Sequence, residues 1–323
     1  MQFSLEVYQP EREEEWESFI LGNTRNATFL HSRAFFRHNG QNEVDDSSLM
    51  FFKNGKLRAV LPAASQQSDG KKQLISHPRS TYGGFVTDHS VGVEDALEIV
   101  EATVAFAKEH GFGEVIIRNP FRIFHQFPSD ETDYAMWYHD FTILKREVES
   151  VVQLQEDASS YYDDSTRRSI KKAWKSVTVK ETDDFTGYWN ILTENLKARH
   201  QTAPTHELDA ILRLRSLVGA DRVRLFGAYA EETLIAGIVV FVSNKLAMQT
   251  QYIASDSNFQ QLRPLNAVID HLIQTGYREG FRYLNMGTSN EEDGKKINAG
   301  LFRFKEGFGA KATLRETMHL VLQ

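Results

Sequence analysis

The sequence contains no cysteine among its 323 residues. This absence excludes disulfides, thiolate zinc sites, iron–sulfur clusters and a cysteine nucleophile. No segment approaches the roughly 20 consecutive apolar residues that a membrane-spanning helix needs. Residues 1–6 contain no basic segment followed by an apolar one, so they do not resemble a secretory signal. We therefore expect a soluble, cytoplasmic protein without a membrane span.

Positive charge is also scarce, because 37 Lys and Arg residues stand against 44 Asp and Glu, for a formal net charge of −7. A field of that sign repels polyanions and disfavours broad nucleic-acid binding. The exception is residues 167–175, whose five Arg and Lys residues would share one face of a helix. That face would suit tRNA or nucleotide phosphates. A solvated face balanced by nearby acidic residues is the favoured interpretation.

The length and the periodicity indicate two domains of an α/β (α+β) protein, residues 1–150 and 151–323. Asn54-Gly55 between two extended runs predicts a type I′ hairpin. In each half a long amphipathic helix ends in Gly-Phe (residues 111–112 and 280–281) and leads into a strand. In the second half, three strands over residues 223–254 precede that helix. The repeated order predicts an internal duplication, with a mixed twisted sheet flanked by helices in each half.

Lys305 is the strongest candidate for chemistry. It lies between Phe304 and Phe308 in a segment that follows the last strand of the second half. Loops at the carboxyl ends of strands are favoured ligand sites in α/β folds. The ammonium would hold a phosphate or stabilise negative charge on an attacked carbonyl. The competing interpretation is a surface lysine beside a buried phenylalanine pair.

The histidines offer a general base and little else. His200 and His206 would deprotonate an incoming ammonium near neutral pH, or would only pack or cap a helix. Neither has a third partner at metal-ligand spacing, and the sequence contains no His-Glu-x-x-His and no Gly-x-Ser-x-Gly. Zinc and serine-hydrolase chemistry are therefore excluded.

The C-terminal segment resembles a known signature. Asn298-x-Gly300-Leu301-x-x-Phe304-Lys305-x-x-Phe308-Gly309, after Gly287-Thr288-Ser289, is similar to the C-terminal motif of FemAB-type transferases of the GNAT-like superfamily. Other segments in chain order also resemble that family: Phe29-Leu30-His31-Ser32, Arg79-x-x-x-Gly83-Gly84, the basic residues 166–173, and Arg199-His200-x-x-x-Pro204-x-His206. The resemblance implies tandem duplicated GNAT-like domains, with the acceptor on the first and the donor on the second.

The activity that the resemblance implies is direct transfer of an acyl or aminoacyl group to a substrate amine. The donor would be acyl-CoA or aminoacyl-tRNA, and the acceptor a small molecule or a cell-wall precursor. Lys305 and His206 would be catalytic. Substrate-binding residues would be Arg37, Arg79, Arg199, Asn298 and Phe304, and donor-binding residues would be Gln251, Ser255 and Arg263.

The sequence leaves the donor open. Residues 255–264 contain no glycine, whereas a glycine loop at a helix N-terminus commonly binds the pyrophosphate of CoA. The acidic net charge disfavours tRNA. The alternative function is a non-catalytic binding or scaffold protein that keeps the fold. For an enzyme, Lys305→Met is expected to abolish turnover with nearly unchanged stability.

Overall fold

The chain folds into two compact units. In the computed structural model, which describes residues 3–22, 24–38, 45–78 and 80–322, unit 1 comprises Met1–Glu147 and Leu314–Gln323, and unit 2 comprises Val148–Thr313. The last ten residues, which a division at residue 150 gives to the second half, therefore belong to unit 1.

Elements are numbered in chain order. The helices and strands from the N-terminus to the end of unit 1's main segment are β1 (Ser4–Val7), α1 (Glu13–Leu21), α2 (Arg33–Arg37), β2 (Asp45–Asp46), β3 (Leu49–Lys53), β4 (Lys56–Leu61), β5 (Ala63–Ser68), β6 (Lys71–Ser76), β7 (Val86–Thr87), α3 (Val93–Glu109), β8 (Glu114–Arg118), α4 (Glu131–Tyr138) and β9 (Thr142–Gln153). The remaining ones are α5 (Asp164–Ala173), β10 (Thr178–Glu181), α6 (Phe185–His200), α7 (Leu208–Val218), β11 (Val223–Ala230), β12 (Thr233–Val242), β13 (Ala247–Ser255), α8 (Pro264–Arg278), β14 (Tyr283–Thr288), β15 (Asn290–Glu291), β16 (Lys296–Ile297), α9 (Ala299–Glu306) and β17 (Lys311–Val321). The unit boundaries fall inside β9 and β17.

Unit 1 contains two groups of strands around α3. One group has the order β1, β3, β4, β7 and is antiparallel. The other has the order β17, β8, β6, β5, β2, in which only β6 and β8 run parallel to each other. Helix α3 buries Ile99, Val100 and Phe106 in the core of this unit. The predicted hairpin is confirmed: β3 and β4 join through Asn54 and Gly55, both at positive φ (55° and 69°), as a type I′ turn requires.

Unit 2 has the strand order β10, β11, β12, β13, β14, β9. All neighbours are antiparallel except β13 and β14. Helix α8 covers one face and buries Val268, Ile269 and Leu272 with the core residues of β12. The three strands expected over residues 223–254 are therefore present, as β11, β12 and β13.

The two long helices end in the same way. Gly111 and Gly280 have φ values of 70° and 86°. The following Phe112 and Phe281 donate their N–H groups to the carbonyl oxygens of Ala107 and Gly276. This is the hydrogen-bond pattern of a glycine-terminated helix. Each exit leads into a strand, β8 or β14, with one parallel neighbour. These matching elements agree with the expected duplication. In the part of the chain that the structure describes, no helix is both long and apolar enough to cross a bilayer.

Candidate functional site

The sheet of unit 2 opens between its two parallel strands. β13 and β14 pair only over residues 247–249 and 283–285, and the last pair is Gln249 with Asn285. β13 nevertheless continues to Ser255, and β14 continues to Thr288. Beyond the last pair, the hydroxyl of Thr250 donates to the carbonyl oxygen of Asn285 at 3.3 Å. Where paired strands part, their facing N–H and C=O groups need other partners. We call this opening the fork.

Two buried side-chain amides lie where the strands part. Gln249 Oε1 and Asn285 Nδ2 are buried without a hydrogen-bond partner in the structure. Asn285 Oδ1 accepts the N–H of Gly287 at 2.9 Å, which fixes the orientation of that amide. Residues in register on neighbouring strands face the same side of a sheet, so the two amides share one side. One unpaired acceptor and one unpaired donor match the two polar groups of a ligand amide.

Lys305 lies at the end of β14. Its side chain is almost fully buried, with 3% exposure. Nζ donates to the carbonyl oxygens of Gly287 and Thr288, each at 2.8 Å. Burial lowers the pKa of Lys305 to about 8, and the negative charge of Glu149 opposes that fall. From the sequence, this ammonium was expected among aromatic rings. The structure instead places it against main-chain carbonyls, with two of its three N–H donors already in use.

Glu149 and Ser289 complete a group of buried polar residues. Glu149 is paired in register with Thr288, next to the carbonyls that Lys305 binds, and both Glu149 and Ser289 are at most 3% exposed. Ser289 Oγ is buried without a hydrogen-bond partner. Buried polar groups in a folded core are costly unless they are paired or used. We call Glu149, Gln249, Asn285, Ser289 and Lys305 the polar cluster.

His206 contacts β13 through Tyr252. Its Nδ1 is hydrogen-bonded to the Tyr252 hydroxyl, and burial raises the pKa of Tyr252 to about 12. Trp189 packs edge-on against Tyr252 with ring centroids 5.2 Å apart. The nearby Tyr188 hydroxyl is buried without a hydrogen-bond partner. His206 is thus oriented by a tyrosine at the strand that forms one side of the fork.

Of the three donor-binding candidates, two lie on β13 and one lies between β13 and α8. Gln251 is half-buried and accepts a long hydrogen bond, 3.4 Å, from Gln249 Nε2. Ser255 is buried, and its carbonyl oxygen accepts the Asn195 side chain at 2.9 Å. Arg263 is exposed and has left-handed backbone geometry (φ 59°) immediately before α8. Gln251 and Ser255 thus lie on the strand beside the fork, and Arg263 lies beyond its end.

The N-terminus of α8 is poorly equipped to bind a pyrophosphate. Pro264 occupies the first helical position and has no N–H. The N–H of Asn266 already donates to the carbonyl oxygen of Arg263 at 3.0 Å. Backbone N–H groups in the first turn normally form such anion sites. Two of these donors are therefore missing or occupied, in agreement with the absence of glycine before the helix.

The other candidates from the C-terminal motif have structural contacts. Asn298 begins α9: its Oδ1 accepts the N–H of Leu301 at 3.1 Å, and its Nδ2 donates to Glu291. Phe304 is half-buried and packs edge-on against Phe308, with centroids 5.4 Å apart. The segment that carries the C-terminal motif therefore contains a helix, α9, in which Lys305 is buried.

The other three predicted substrate-binding residues are arginines, and the structure describes the side-chain contacts of only one of them, Arg37. Arg37 pairs with Glu13 at 2.5 Å within unit 1, and both are about one-third exposed. Arg79 lies outside the described residues. Arg199 belongs to α6, but its side chain is not described. The substrate-binding roles of these residues remain predictions.

The basic face of α5 is exposed. Arg167 Nη1 pairs with Asp164 at 3.0 Å, and its Nη2 donates to the Ser160 carbonyl at 2.7 Å. The helix begins with Asp163, whose side chain accepts the N–H of Thr166. The remaining basic residues are solvent-exposed: Arg168, Lys171, Lys172 and Lys175. These contacts agree with the favoured interpretation, a solvated helix face.

The corresponding position in unit 1 is filled by its own chain. β6 and β8 also pair in parallel over three residues. Past that point, the N–H of Arg118 donates to Ser76 Oγ at 2.7 Å, and its guanidinium donates to the carbonyls of Pro78 and Ser80. The N–H of Gly83 then donates to the Arg118 carbonyl. In unit 2, the corresponding contacts are the Thr250 hydroxyl on the Asn285 carbonyl and the Lys305 ammonium on the carbonyls of Gly287 and Thr288.

Comparison with known proteins identifies the domain that carries the fork. Residues 164–305 match the model of the acetyltransferase (GNAT) domain. Unit 2 contains a GNAT domain. The parallel pair that separates into a fork, the polar cluster and His206 all belong to that GNAT domain or to the strand beside it, β9. No curated protein matches the sequence.

Solved structures extend the likeness to the whole chain. FemX has 11% identity and a TM-score of 0.69, over 99% of this chain and 97% of that one. The C-terminal domain of a putative lysylphosphatidylglycerol synthetase from Agrobacterium fabrum has 13% identity and a TM-score of 0.62, over 96% and 91%. A tandem GNAT protein from the clavulanic acid biosynthesis pathway has 10% identity and a TM-score of 0.53, over 99% and 98%. The chain therefore has a FemX-like tandem GNAT fold, as the resemblance implies.

Sequence reasoning missed most of the polar cluster. Glu149, Gln249, Asn285 and Ser289 are absent from its candidates, and only Lys305 is present. One signal was available: Asn285 stands between Leu284 and Met286 in a strand that is otherwise apolar there. A polar residue inside a buried strand indicates a special role. The spatial link between the five residues is visible only in the folded sheet.

Proposed function

We propose that the GNAT domain transfers an acyl or aminoacyl group from an activated ester or thioester to a substrate amine by direct attack. The observation that carries this proposal is the fork, with its unpaired amides at Gln249 and Asn285. An extended donor would enter between β13 and β14 and pair with the free amide atoms, Gln249 Oε1 and Asn285 Nδ2.

The chemistry follows from the groups around the fork. The amine nitrogen attacks the donor carbonyl carbon, a tetrahedral oxyanion forms, and the alkoxide or thiolate leaves with a proton. The Lys305 ammonium, held by two carbonyls, would direct its third N–H at the oxyanion. His206, oriented by Tyr252, would take one proton from the substrate ammonium, which makes the amine nucleophilic. A second proton from the amine leaves with the alkoxide or thiolate. Proximity contributes the rest, and no covalent enzyme intermediate is needed.

The start of α8 favours an aminoacyl ester as the donor. With Pro264 and the occupied N–H of Asn266, that helix offers few donors to a CoA pyrophosphate. The names of two structural relatives, FemX and a putative lysylphosphatidylglycerol synthetase, support the same choice. The tandem GNAT relative from the clavulanic acid pathway, whose structure was solved without AcCoA, supports the thioester instead.

The donor test is a calorimetric titration with acetyl-CoA, followed by transfer assays with a pool of radiolabelled aminoacyl-tRNA and an amine acceptor. We expect no heat at millimolar acetyl-CoA, and amide formation from the aminoacyl ester. Micromolar binding of acetyl-CoA would instead establish a thioester donor. Failure of both donors would contradict acyl transfer and support the non-catalytic binding protein.

Gln249→Met tests the fork itself. Because Oε1 has no protein partner and Nε2 makes only the long bond to Gln251, the substitution should leave the free energy of unfolding nearly unchanged. Loss of the acceptor should raise the KM for the donor by about 10-fold, which corresponds to about 1.4 kcal/mol. Gln67→Met, an exposed change in unit 1, is the control. Unchanged KM in Gln249→Met would contradict donor binding in the fork.

A further inference from the structure

Unit 1 contains a groove with a cavity volume of about 590 Å³. It lies where the C-terminal end of α4 meets the start of β9. Its apolar lining includes Trp137, Ile143 and Met318. Its polar lining includes Asp133 and Glu316. Nothing in the acyl-transfer proposal uses these residues.

The aromatic side of the groove is unusually exposed. Trp137 is 66% exposed, and its α4 neighbours Tyr134 and Tyr138 are 46% and 58% exposed. The rings of Tyr134 and Trp137 lie 5.7 Å apart, so they form one surface. Ile143, on the same groove, is 45% exposed. Exposed clusters of large apolar side chains beside a groove mark binding sites, since folding alone would bury them.

The charge of the groove is negative. Arg122 pairs with Asp130 and lies 3.5 Å from Asp133, and Arg146 pairs with Glu316 at 2.5 Å. The carboxylates of Asp130, Asp133, Asp140 and Glu316 carry four negative charges. The guanidinium groups of Arg122 and Arg146 carry two positive charges, so the formal excess is two negative charges. Asp140 follows the C-terminal end of α4, where the helix dipole adds negative potential.

The pKa of Asp133 is raised in this groove. Oδ1 accepts the Asn119 amide at 3.0 Å. Burial raises the pKa of Asp133, Glu316 raises it further, and Arg122 opposes both. A cation bound in the groove would relieve the repulsion between the two carboxylates. An aromatic face beside them adds a cation–π contact.

We propose that this groove binds a primary ammonium group on an apolar stem. The ammonium would lie between Asp133 and Glu316, and the stem would pack along Trp137, Ile143 and Met318. A neutral ligand would not compensate the excess negative charge of the groove, and an anion would be repelled by it. The site consists of unit 1 residues only, so it does not depend on acyl transfer in the GNAT domain.

The test uses n-pentylammonium as the probe and n-pentanol as its neutral match, added to the full chain. The readout is the indole N–H NMR signal of Trp137, assigned among the four tryptophans with Trp137→Phe. We expect saturable shifts at millimolar pentylammonium that weaken with added salt, and no saturation with pentanol. Asp133→Asn keeps the acceptor for Asn119 and should weaken binding at least 10-fold. Asp69→Asn, exposed in unit 1, should not change it.

Several outcomes would overturn the proposal. Equal binding of pentanol would reduce the groove to an apolar surface, and unchanged affinity in Asp133→Asn would remove the carboxylate from recognition. Saturable binding of a neutral sugar at Trp137, without binding of pentylammonium, would assign the groove to carbohydrate. An immobile Trp137 signal throughout would mean that no ligand of this class binds.

Discussion

Lys305→Met is expected to lower kcat by about 100-fold or more, since removal of one donor to a developing oxyanion typically costs two to three orders of magnitude. It should also lower the free energy of unfolding by about 2 kcal/mol, because the carbonyls of Gly287 and Thr288 lose their buried partner. The second expectation revises the sequence-based one, which was nearly unchanged stability. Single-turnover kinetics and urea unfolding measure the two effects.

The pH profile separates catalysis from stability. The folded pKa of Lys305 is about 8, against an ordinary value of 10.5. Between these values the unfolded chain binds more protons, so this residue's contribution to the unfolding free energy rises with pH. Activity should do the opposite and fall through pH 8, as the ammonium loses its charge. In Lys305→Met the residual activity should lack this decline.

Lys295→Met supplies the control, because Lys295 is exposed in the same part of unit 2. It should leave both kcat and stability unchanged. Full activity in Lys305→Met, at a pH where the variant is folded, would remove Lys305 from the mechanism.

Local signals in the sequence are sufficient to predict the order of helices and strands. Asn54-Gly55 demands positive φ at two successive residues, and a type I′ hairpin follows from that alone. Gly111 and Gly280 end their helices because only a residue without Cβ adopts that geometry at little cost. These rules act over a few residues, so the order of elements in each half was predictable. The return of residues 314–323 to unit 1 was not, because strand pairing across the chain has no local signal.

The site depends on such distant pairing. Glu149 and Lys305 are more than 150 positions apart in sequence, and the pairing of β9 with β14 brings them together. From sequence alone Lys305 was expected beside its neighbours Phe304 and Phe308. α9 turns it instead toward the end of β14, because a helix places adjacent residues on different faces. The residue type was thus predictable, but its contacts were not.

Acidification from pH 6.5 to about 4 is expected to destabilise unit 1 by about 3 kcal/mol for each of His31 and His125. Both have a pKa lowered to about 4, chiefly by burial. A shift of about 2.5 units corresponds to about 3 kcal/mol. Below pH 6.5 the unfolded histidines bind protons and the folded ones do not, so the unfolding free energy decreases as the pH decreases.

Burial lowers the pKa of His31 even though its hydrogen bonds to Gly83 and Thr28 act in the opposite direction. Its Nδ1 accepts the N–H of Thr28 at 3.0 Å, and its Nε2 donates to the carbonyl of Gly83 at 3.0 Å. His77 adds to the effect, since burial and the nearby His31 and Arg33 lower its pKa as well.

His125→Phe isolates one of these contributions. His125 Nε2 is buried without a partner, so phenylalanine should leave stability near pH 7 roughly unchanged and reduce the acid loss by about 3 kcal/mol. Urea unfolding at pH 7, 6, 5 and 4.5, followed by the indole signal of the buried Trp16, measures this in unit 1. His89→Gln, at an exposed histidine, should retain the full loss.

Carboxyls with raised pKa values, such as Glu17, bind protons more tightly in the folded protein, so through them acidification raises the unfolding free energy in every variant. Their contribution therefore cancels in the comparison, and an acid loss in His125→Phe equal to that of the wild type would show that His125 is not the group responsible.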